Sequence, residues 1–218
     1  MACESGFYQD PPKLTRQGLH LCELNIVYVF VLGDQGTGKT TLIDSLTTRR
    51  ISDPLLPSFQ YVSESVPEGS ATILITVRLL ELKRVHLFLP EIAQVCRAAK
   101  HVFLFVYAID DLDSLRCLHD SWIIYVRNIF GWTATTVMLG TKVDLMNIPG
   151  FQEEHSVCTN ALAHCYKALF KVNYVFQCSA ITGYQVDAVI FEIAKLGNKT
   201  RPLLSEHFKM MKKSVKHI

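Results

Sequence analysis

Hydrophobic and polar positions alternate with two different periods along this chain of 218 residues. Four short runs are continuously apolar and rich in β-branched and aromatic residues, which is typical of buried strands. They occupy residues 24–33, 102–109, 135–141 and 173–180. A fifth region, residues 70–89, alternates apolar and polar positions on both sides of a polar stretch at 81–84, which predicts an antiparallel hairpin.

Helical patterns fill the segments between these strands, near residues 39–48, 112–130, 152–170 and 184–197. Strands that alternate with helices are typical of an α/β fold with a parallel sheet. We therefore predict a mostly parallel sheet with helices on both faces and one antiparallel edge strand, supplied by the 70–89 hairpin.

The first apolar run leads directly into GDQGTGKT, residues 33–40, which match the pattern G-x-x-x-x-G-K-[ST]. Glycines let backbone amides approach phosphate oxygens, and the helix that follows begins with unpaired N–H groups. Lys39 is expected to reach the β- and γ-phosphates of a nucleotide, and Thr40 to offer its hydroxyl to Mg²⁺. The alternative is a glycine-rich turn that carries a lysine by accident. The candidate phosphate contacts are Asp34, Gln35, Gly36, Thr37, Gly38, Lys39, Thr40 and Thr41.

Two later strand ends bear on which base is bound. LGTKVDL, residues 139–145, carries Thr141-Lys142-x-Asp144 at the end of one strand, and CSAITG, residues 178–183, ends the next. A carboxylate at Asp144 can accept from the ring N–H and the exocyclic amine of guanine together, and adenine cannot offer that pair.

With these three motifs in this order, the chain resembles the small GTPases of the Ras superfamily over roughly residues 24–198. The resemblance implies that GTP or GDP and Mg²⁺ are the cofactors, and that the T-K-x-D and S-A stretches recognise guanine. The base contacts that it implies are Thr141, Lys142, Asp144, Leu145, Ser179 and Ala180.

The Rho branch is the part of the superfamily that the chain resembles most, through IDDLDSL at 109–115 and LPSF at 56–59. LPSF puts Ser58 nineteen residues after Lys39, which is the family's distance to the switch threonine that binds Mg²⁺. The resemblance thus implies Thr40 and Ser58 as metal ligands, although Ser58 is alternatively an ordinary loop serine. The stretch LPEI, residues 89–92, is also similar, more distantly, to the C-terminal GTPase domain of Miro proteins.

The hydrolytic motif of the family, D-x-x-G-Q after the second hairpin strand, is incomplete here. If the strand period runs through VHLFL, Glu91 takes the Asp position, and Gln94 and Val95 take the Gly and Gln positions. A shift by one residue puts Pro90, Ala93 and Gln94 there instead. Neither alignment completes the motif, and Gln94 is the one candidate catalytic residue.

Three further departures from the family pattern also indicate an atypical member. Only residues 92–100 then separate Glu91 from the next strand, which predicts a short switch segment. Gln35 stands where Ras and Rho proteins usually have glycine, and Ile51 where an aromatic usually stacks on guanine. We expect an atypical Rho-like protein that binds GTP and Mg²⁺, hydrolyses GTP slowly or not at all, and acts as a signalling or scaffold module.

Two alternatives remain open at this point. The first is an active GTPase switch, in which Gln94 or a partner positions the attacking water. The second is a pseudoGTPase, a structural subunit that works without nucleotide. The expected partners are guanine nucleotide and a protein effector or complex partner.

Composition bears on the cellular compartment and on whether nucleic acid is a partner. A formal net charge of +2 is too small to indicate nucleic acid by itself. Seven cysteines without C-x-x-C spacing fit a reducing compartment. No apolar run reaches the roughly 18 residues of a membrane-spanning helix, and the N-terminus lacks the order of a secretory signal. We predict a cytoplasmic protein, and a peripheral position at a membrane or cytoskeletal complex stays open.

The predicted domain organisation has three parts. Residues 1–23 form an extension, 24–198 the nucleotide-binding domain, and 199–218 a basic amphipathic tail. Residues 202–217 could contact an anionic membrane surface weakly or enter a partner's groove, and the alternative is that they dock on their own domain. Because the last cysteine is Cys178, we expect no prenyl anchor.

Overall fold

The computed structural model of the chain describes residues 26–47, 60–68, 71–82, 93, 95–96, 99–151 and 158–200. The N-terminal extension, most of the tail, Ile51, Ser58, Glu91 and Gln94 lie outside these residues. The strands are β1 (Ile26–Leu32), β2 (Gln60–Glu68), β3 (Ala71–Glu81), β4 (Lys100–Ala108), β5 (Thr136–Thr141) and β6 (Tyr174–Gln177). The helices are α1 (Lys39–Thr47), α2 (Leu112–Cys117), α3 (Ile124–Phe130), α4 (Asn160–Phe170) and α5 (Val186–Asn198).

Two shorter helical segments complete the description. A π-helical segment, Leu118–Ile123, joins α2 directly to α3. A 3₁₀ segment, Val143–Asn147, follows β5. No helix among the described residues is long and apolar enough to cross a membrane.

The six strands form one sheet in the order β2-β3-β1-β4-β5-β6. Every neighbouring pair is parallel except β2 and β3, which are antiparallel. The predicted α/β fold, with one antiparallel edge strand on a mostly parallel sheet, is therefore confirmed. β2 is that edge strand, and Pro67 within it is tolerated because an edge strand need not donate every N–H to a ladder.

Alternate residues of β1 enter two separate cores, because successive side chains of a strand point to opposite faces of the sheet. Val27, Val29 and Val31 pack in the core that α1 and α5 cover. Tyr28 and Phe30 pack in the core that α2, α3 and α4 cover. All seven residues of β1 are buried, and each large apolar side chain buried in this way contributes about 1.5–3 kcal/mol. Helices on both faces, as predicted, follow from this two-sided burial.

The predicted position of the hairpin is wrong. The antiparallel pair is β2 with β3, and only residues 69–70 of the sequence separate the two strands. β3 continues to Glu81, and its Val77 lies between Val62 of β2 and Val27 of β1. Both edges of β3 are paired over residues 76–79, and the predicted second arm of the hairpin lies outside the described residues.

The predicted start of the helix near residue 152 is also wrong for the helix that ends at Phe170. Thr159 has extended backbone angles, φ −63° and ψ 154°, and its hydroxyl accepts from the Leu162 N–H at 3.2 Å. This N-cap satisfies one of the unpaired donors of the first turn, so α4 begins at Asn160.

Candidate functional site

The carboxyl-terminal ends of β1, β3, β5 and β6 meet at a cleft of roughly 630 Å³. Open α/β sheets bind ligands in such crevices, outside the carboxyl ends of the strands. The cleft is lined by Gly33, Gln35, Gly36, Gly38, Lys39, Thr40, Thr41, Glu81, Thr141, Lys142, Asp144, Ala180 and Ile181. Residues from all three predicted motifs thus lie around one cavity.

The loop between β1 and α1 has backbone angles that its glycines permit. Gly33 has a φ of 145°, and a Cβ atom there would lie 2.2 Å from the carbonyl oxygen of Val106 in β4. Only glycine, which has no Cβ atom, fits so close to the neighbouring strand. Gly38, with a φ of 83°, leads directly into the first turn of α1. The loop can therefore present backbone N–H groups and the start of a helix to an anion.

The Asp34 carbonyl oxygen is the internal anchor of this loop. The ammonium of Lys39 donates to that oxygen at 2.6 Å, and the Thr37 hydroxyl donates to it at 2.9 Å. Lys39 lies in the wall of the cleft, with only 6% of its surface exposed. Its charge is consequently held at a fixed place beside the loop.

A buried hydroxyl ties the phosphate loop to the end of β5. The Thr141 hydroxyl oxygen lies 2.6 Å from the Thr37 carbonyl oxygen, to which it donates, and 3.1 Å from the Tyr107 carbonyl oxygen, which shares the same proton. Gly140, the preceding residue, leaves room for Tyr107, since a Cβ there would lie 2.8 Å from the tyrosine ring. Burial of that ring raises the pKa of Tyr107 to about 12, so it stays neutral. The first two predicted motifs are thus one rigid unit.

Asp144 and Ser179 meet across the cleft from the phosphate loop. The Ser179 hydroxyl donates to Oδ1 of Asp144 at 2.5 Å, and Ser179 itself is fully buried. Beside it, burial raises the pKa of the Cys178 thiol to about 12, so no second charge competes with the carboxylate. Ser179 thereby orients the Asp144 side chain and engages only one of its two oxygens.

Lys142 is held by an ion pair, because its ammonium lies 3.0 Å from Oδ2 of Asp110, in the turn that follows β4. Its backbone is left-handed, with a φ of 63°, at the point where β5 turns into the 3₁₀ segment. Leu145 lies within that segment and is partly buried. Four of the predicted contacts that the structure describes do not line the cleft: Asp34, Thr37, Leu145 and Ser179. Asp34, Thr37 and Ser179 instead support residues that do line it.

Sequence reasoning missed Glu81. This residue ends β3, lines the cleft, and accepts from the Thr40 hydroxyl through Oε2 at 2.9 Å. A hydroxyl and a carboxylate side by side are the hard oxygen ligands that Mg²⁺ prefers, so the residues present fit a metal beside the phosphate loop. The sequence prediction places Glu91 at the acidic position, because it extends the hairpin to residue 89, and Glu91 lies outside the described residues.

The short segment expected after Glu91 lies partly outside the described residues. Among the described strands, β3 ends at Glu81 and β4 begins at Lys100. The dipeptide Gly69-Ser70 is a hairpin signal that would have placed both strands correctly.

Comparison with known proteins finds a matching family profile and two similar proteins. A profile of the Ras family matches residues 89–199, just over half of the chain. "Mitochondrial Rho GTPase 1" of Cryptococcus neoformans var. neoformans serotype D is 25% identical to this chain over 170 residues, in each of two strains. Those residues cover 77% of this chain but only 23% of the relative, so the chain spans about a quarter of the length of these proteins.

Proposed function

The chain belongs to the Ras family, whose members are small GTP-binding proteins, and on that premise we propose that it binds GTP with Mg²⁺ but hydrolyses it slowly or not at all. The observation that carries this proposal is the cleft, which joins Lys39 and Thr40 to Asp144 around one cavity. In this proposal the protein acts as an atypical Rho-like signalling or scaffold module that presents its bound nucleotide state to a protein partner.

The phosphate end of the cleft supports nucleotide binding. Lys39 places a positive charge beside backbone N–H groups of the loop, and Thr40 and Glu81 place two oxygens where a metal would be held. Bound Mg²⁺ supplies neutralisation of the phosphate charge. Ser58 is proposed as a further ligand from its distance along the sequence, and it lies outside the described residues.

The opposite end of the cleft supports the choice of guanine. Ser179 uses one acceptor position of Asp144 Oδ1, so Oδ2 and the second position of Oδ1 can accept from a base. Two N–H donors on one edge distinguish guanine from adenine, and a carboxylate that meets both gives two charge-assisted hydrogen bonds. Lys142 and Ala180 line the cleft beside Asp144 and are proposed to contact the same base.

Slow hydrolysis is supported by the residues that follow β3. With Glu81 in the acidic position of the D-x-x-G-Q motif, Arg84 stands at the Gly position and Val85 at the Gln position. A valine side chain has no hydrogen-bonding atom, so it cannot orient a water molecule for attack. Gln35 lies exposed in the cleft wall, where a side chain takes space that a water or an arginine finger would need.

The Rho-like placement and the cellular setting are proposals of the same kind. The names of the two fungal relatives and the LPSF stretch at 56–59 support the Rho branch. The described cysteines are free thiols, which supports a reducing compartment such as the cytoplasm. We propose a nucleotide-binding domain at 24–198 and a basic tail at 199–218 that contacts a membrane surface weakly or a partner.

The experiment that tests this proposal is identification of the nucleotide that remains bound after purification in Mg²⁺ without denaturation. We expect GTP at close to one molecule per protein, because the grip is retained and hydrolysis is slow. Lys39→Ala, purified in parallel, should carry none. GDP in the wild-type protein would instead indicate an active switch, and an empty wild-type site would indicate a pseudoGTPase subunit; either result contradicts the proposal.

A further inference from the structure

The carboxylate of Asp34 points away from the cleft toward the helical layer. Its Oδ1 accepts from the indole N–H of Trp122 at 2.9 Å, across 88 residues of sequence. The backbone and the side chain of Asp34 therefore have different roles. Its carbonyl oxygen holds Lys39 and Thr37 inside the phosphate loop, and its carboxylate holds the loop to a helix.

Trp122 reaches the loop from the π-helical segment Leu118–Ile123. A π-helical turn inserts extra backbone into an α-helix and changes the direction of the side chains within it, and such turns occur often at functional sites. Cys117, immediately before this segment, faces the same carboxylate, and the hydrogen bond with Asp34 raises the pKa of that thiol to about 11. The thiol thus stays protonated and able to donate.

This arrangement also keeps the negative charge of the Asp34 carboxylate away from the phosphate site. A carboxylate within a few ångströms of a polyphosphate opposes its binding, and the opposition is stronger where water is partly excluded. Donation from the indole and the thiol holds the Asp34 carboxylate away from the cleft and satisfies its oxygens there.

We propose that Asp34 is a positioning residue for nucleotide binding, and that Trp122 in the π-helical segment fixes the Asp34 peptide so that its carbonyl holds the Lys39 ammonium at the phosphate site. This inference rests on the proposed function, because the positioned group is the phosphate-binding lysine. Neither Asp34 nor Trp122 needs to touch the nucleotide. Loosening their contact lets the peptide and the ammonium shift, which speeds nucleotide release.

The test measures the rate at which a fluorescent GDP analogue leaves the Mg²⁺-loaded protein in excess unlabelled GDP. Trp122→Phe removes the N–H donor and keeps an aromatic ring, and we expect release at least about tenfold faster, as for the loss of one hydrogen bond to a charged group. Asp34→Ala should show the same increase. Asp34→Asn keeps an oxygen that accepts from Trp122, so its release rate should return to within about twofold of wild type.

The matched control is Trp132→Phe, since the chain has two tryptophans and the Trp132 ring is exposed, stacked by Arg127 on α3. It should release nucleotide at the wild-type rate. The double variant Asp34→Ala/Trp122→Phe should be no faster than either single variant, because both remove the same contact. Thermal unfolding of each variant separates a local effect from loss of folding.

Several results would overturn the inference. Release from Asp34→Ala at the wild-type rate, release from Asp34→Asn as fast as from Asp34→Ala, or full additivity in the double variant would each do so. The Asp34 pair lies on a surface loop and decides the question even if Trp122→Phe does not fold. A wild-type protein that binds no guanine nucleotide would overturn the proposed function first and this inference with it.

Discussion

One part of the site is fixed by buried contacts, whereas another part depends on a single described contact. In the fixed part, Thr141 bonds the phosphate loop and Ser179 bonds Asp144, both through side chains that are 2% exposed or less. In the weaker part, beside the phosphate loop, the exposed Thr40 hydroxyl meets Glu81, and the proposed alignment puts no glutamine at the water-positioning place of the hydrolytic motif. In the proposed function, binding and hydrolysis therefore depend on different parts of the site, so hydrolysis can be weakened while nucleotide binding is retained.

Lys39→Ala tests the fixed part of the site most severely. It removes the only charge that the phosphate loop directs at the nucleotide, so we expect GTP and GDP affinity to fall on the order of 1,000-fold. Isothermal titration measures this directly. Lys199→Ala, which changes an exposed lysine at the end of α5, should leave affinity unchanged. A loss below tenfold in Lys39→Ala would show that the loop does not hold phosphate in the way described.

Asp144→Asn should have the next largest effect. Because Oδ1 accepts from Ser179, the new amide would direct its NH₂ group at the base, where guanine also has donors. We expect GTP affinity to fall about 100-fold, as for two lost charge-assisted bonds, and xanthosine triphosphate affinity to rise. Asp113→Asn, on the exposed surface of α2, is the control. Unchanged preference for guanine would remove Asp144 from the base site.

Glu81→Ala sharpens the comparison at the weaker part of the site. Loss of one metal-side carboxylate should lower GTP affinity about tenfold in Mg²⁺ and leave affinity in excess chelator nearly unchanged. Glu192→Ala on α5, which removes a surface carboxylate paired with Lys195, should alter neither. Equal losses with and without Mg²⁺ would show that Glu81 supports the fold rather than a metal.

Gln35→Gly should have the smallest effect. It clears space in the cleft wall but supplies no group to orient water, so we expect the single-turnover hydrolysis rate to stay within about threefold of wild type. Gln35→Asn, which keeps a polar side chain there, serves as the comparison variant. An increase of tenfold or more in Gln35→Gly alone would mean that crowding by this side chain, and not the missing glutamine, limits hydrolysis.

Much of the grip could be predicted from sequence because its residues are close together along the chain. The eight residues of GDQGTGKT follow a fully buried strand and open a helix, so motif and context agree. The same holds for Thr141, Lys142 and Asp144 at the end of β5, where continuous apolar residues mark a strand buried on both faces.

The weaker part could not be predicted as well, because Glu81 belongs to no local motif and its place depends on how β2 and β3 pair. β2 is a polar edge strand that buries only Val62 and Val66 among its described side chains, so its apolar pattern is faint. Because β2 was not recognised, the hairpin was predicted at the wrong position. The acidic residue that meets Thr40 and lies 41 residues after it was therefore missed. The contact between Asp34 and Trp122 carries no local signal at all, since it depends on how the π-helical segment packs on the loop.

A single-turnover assay tests the central claim most directly. Protein loaded with GTP and freed of excess nucleotide is incubated in Mg²⁺ at 25 °C, and bound GTP and GDP are quantified over a day. We predict that most of the GTP remains after several hours, which corresponds to a rate well below the intrinsic Ras value of about 4 × 10⁻⁴ s⁻¹. Phosphate release at that rate or faster would contradict the account.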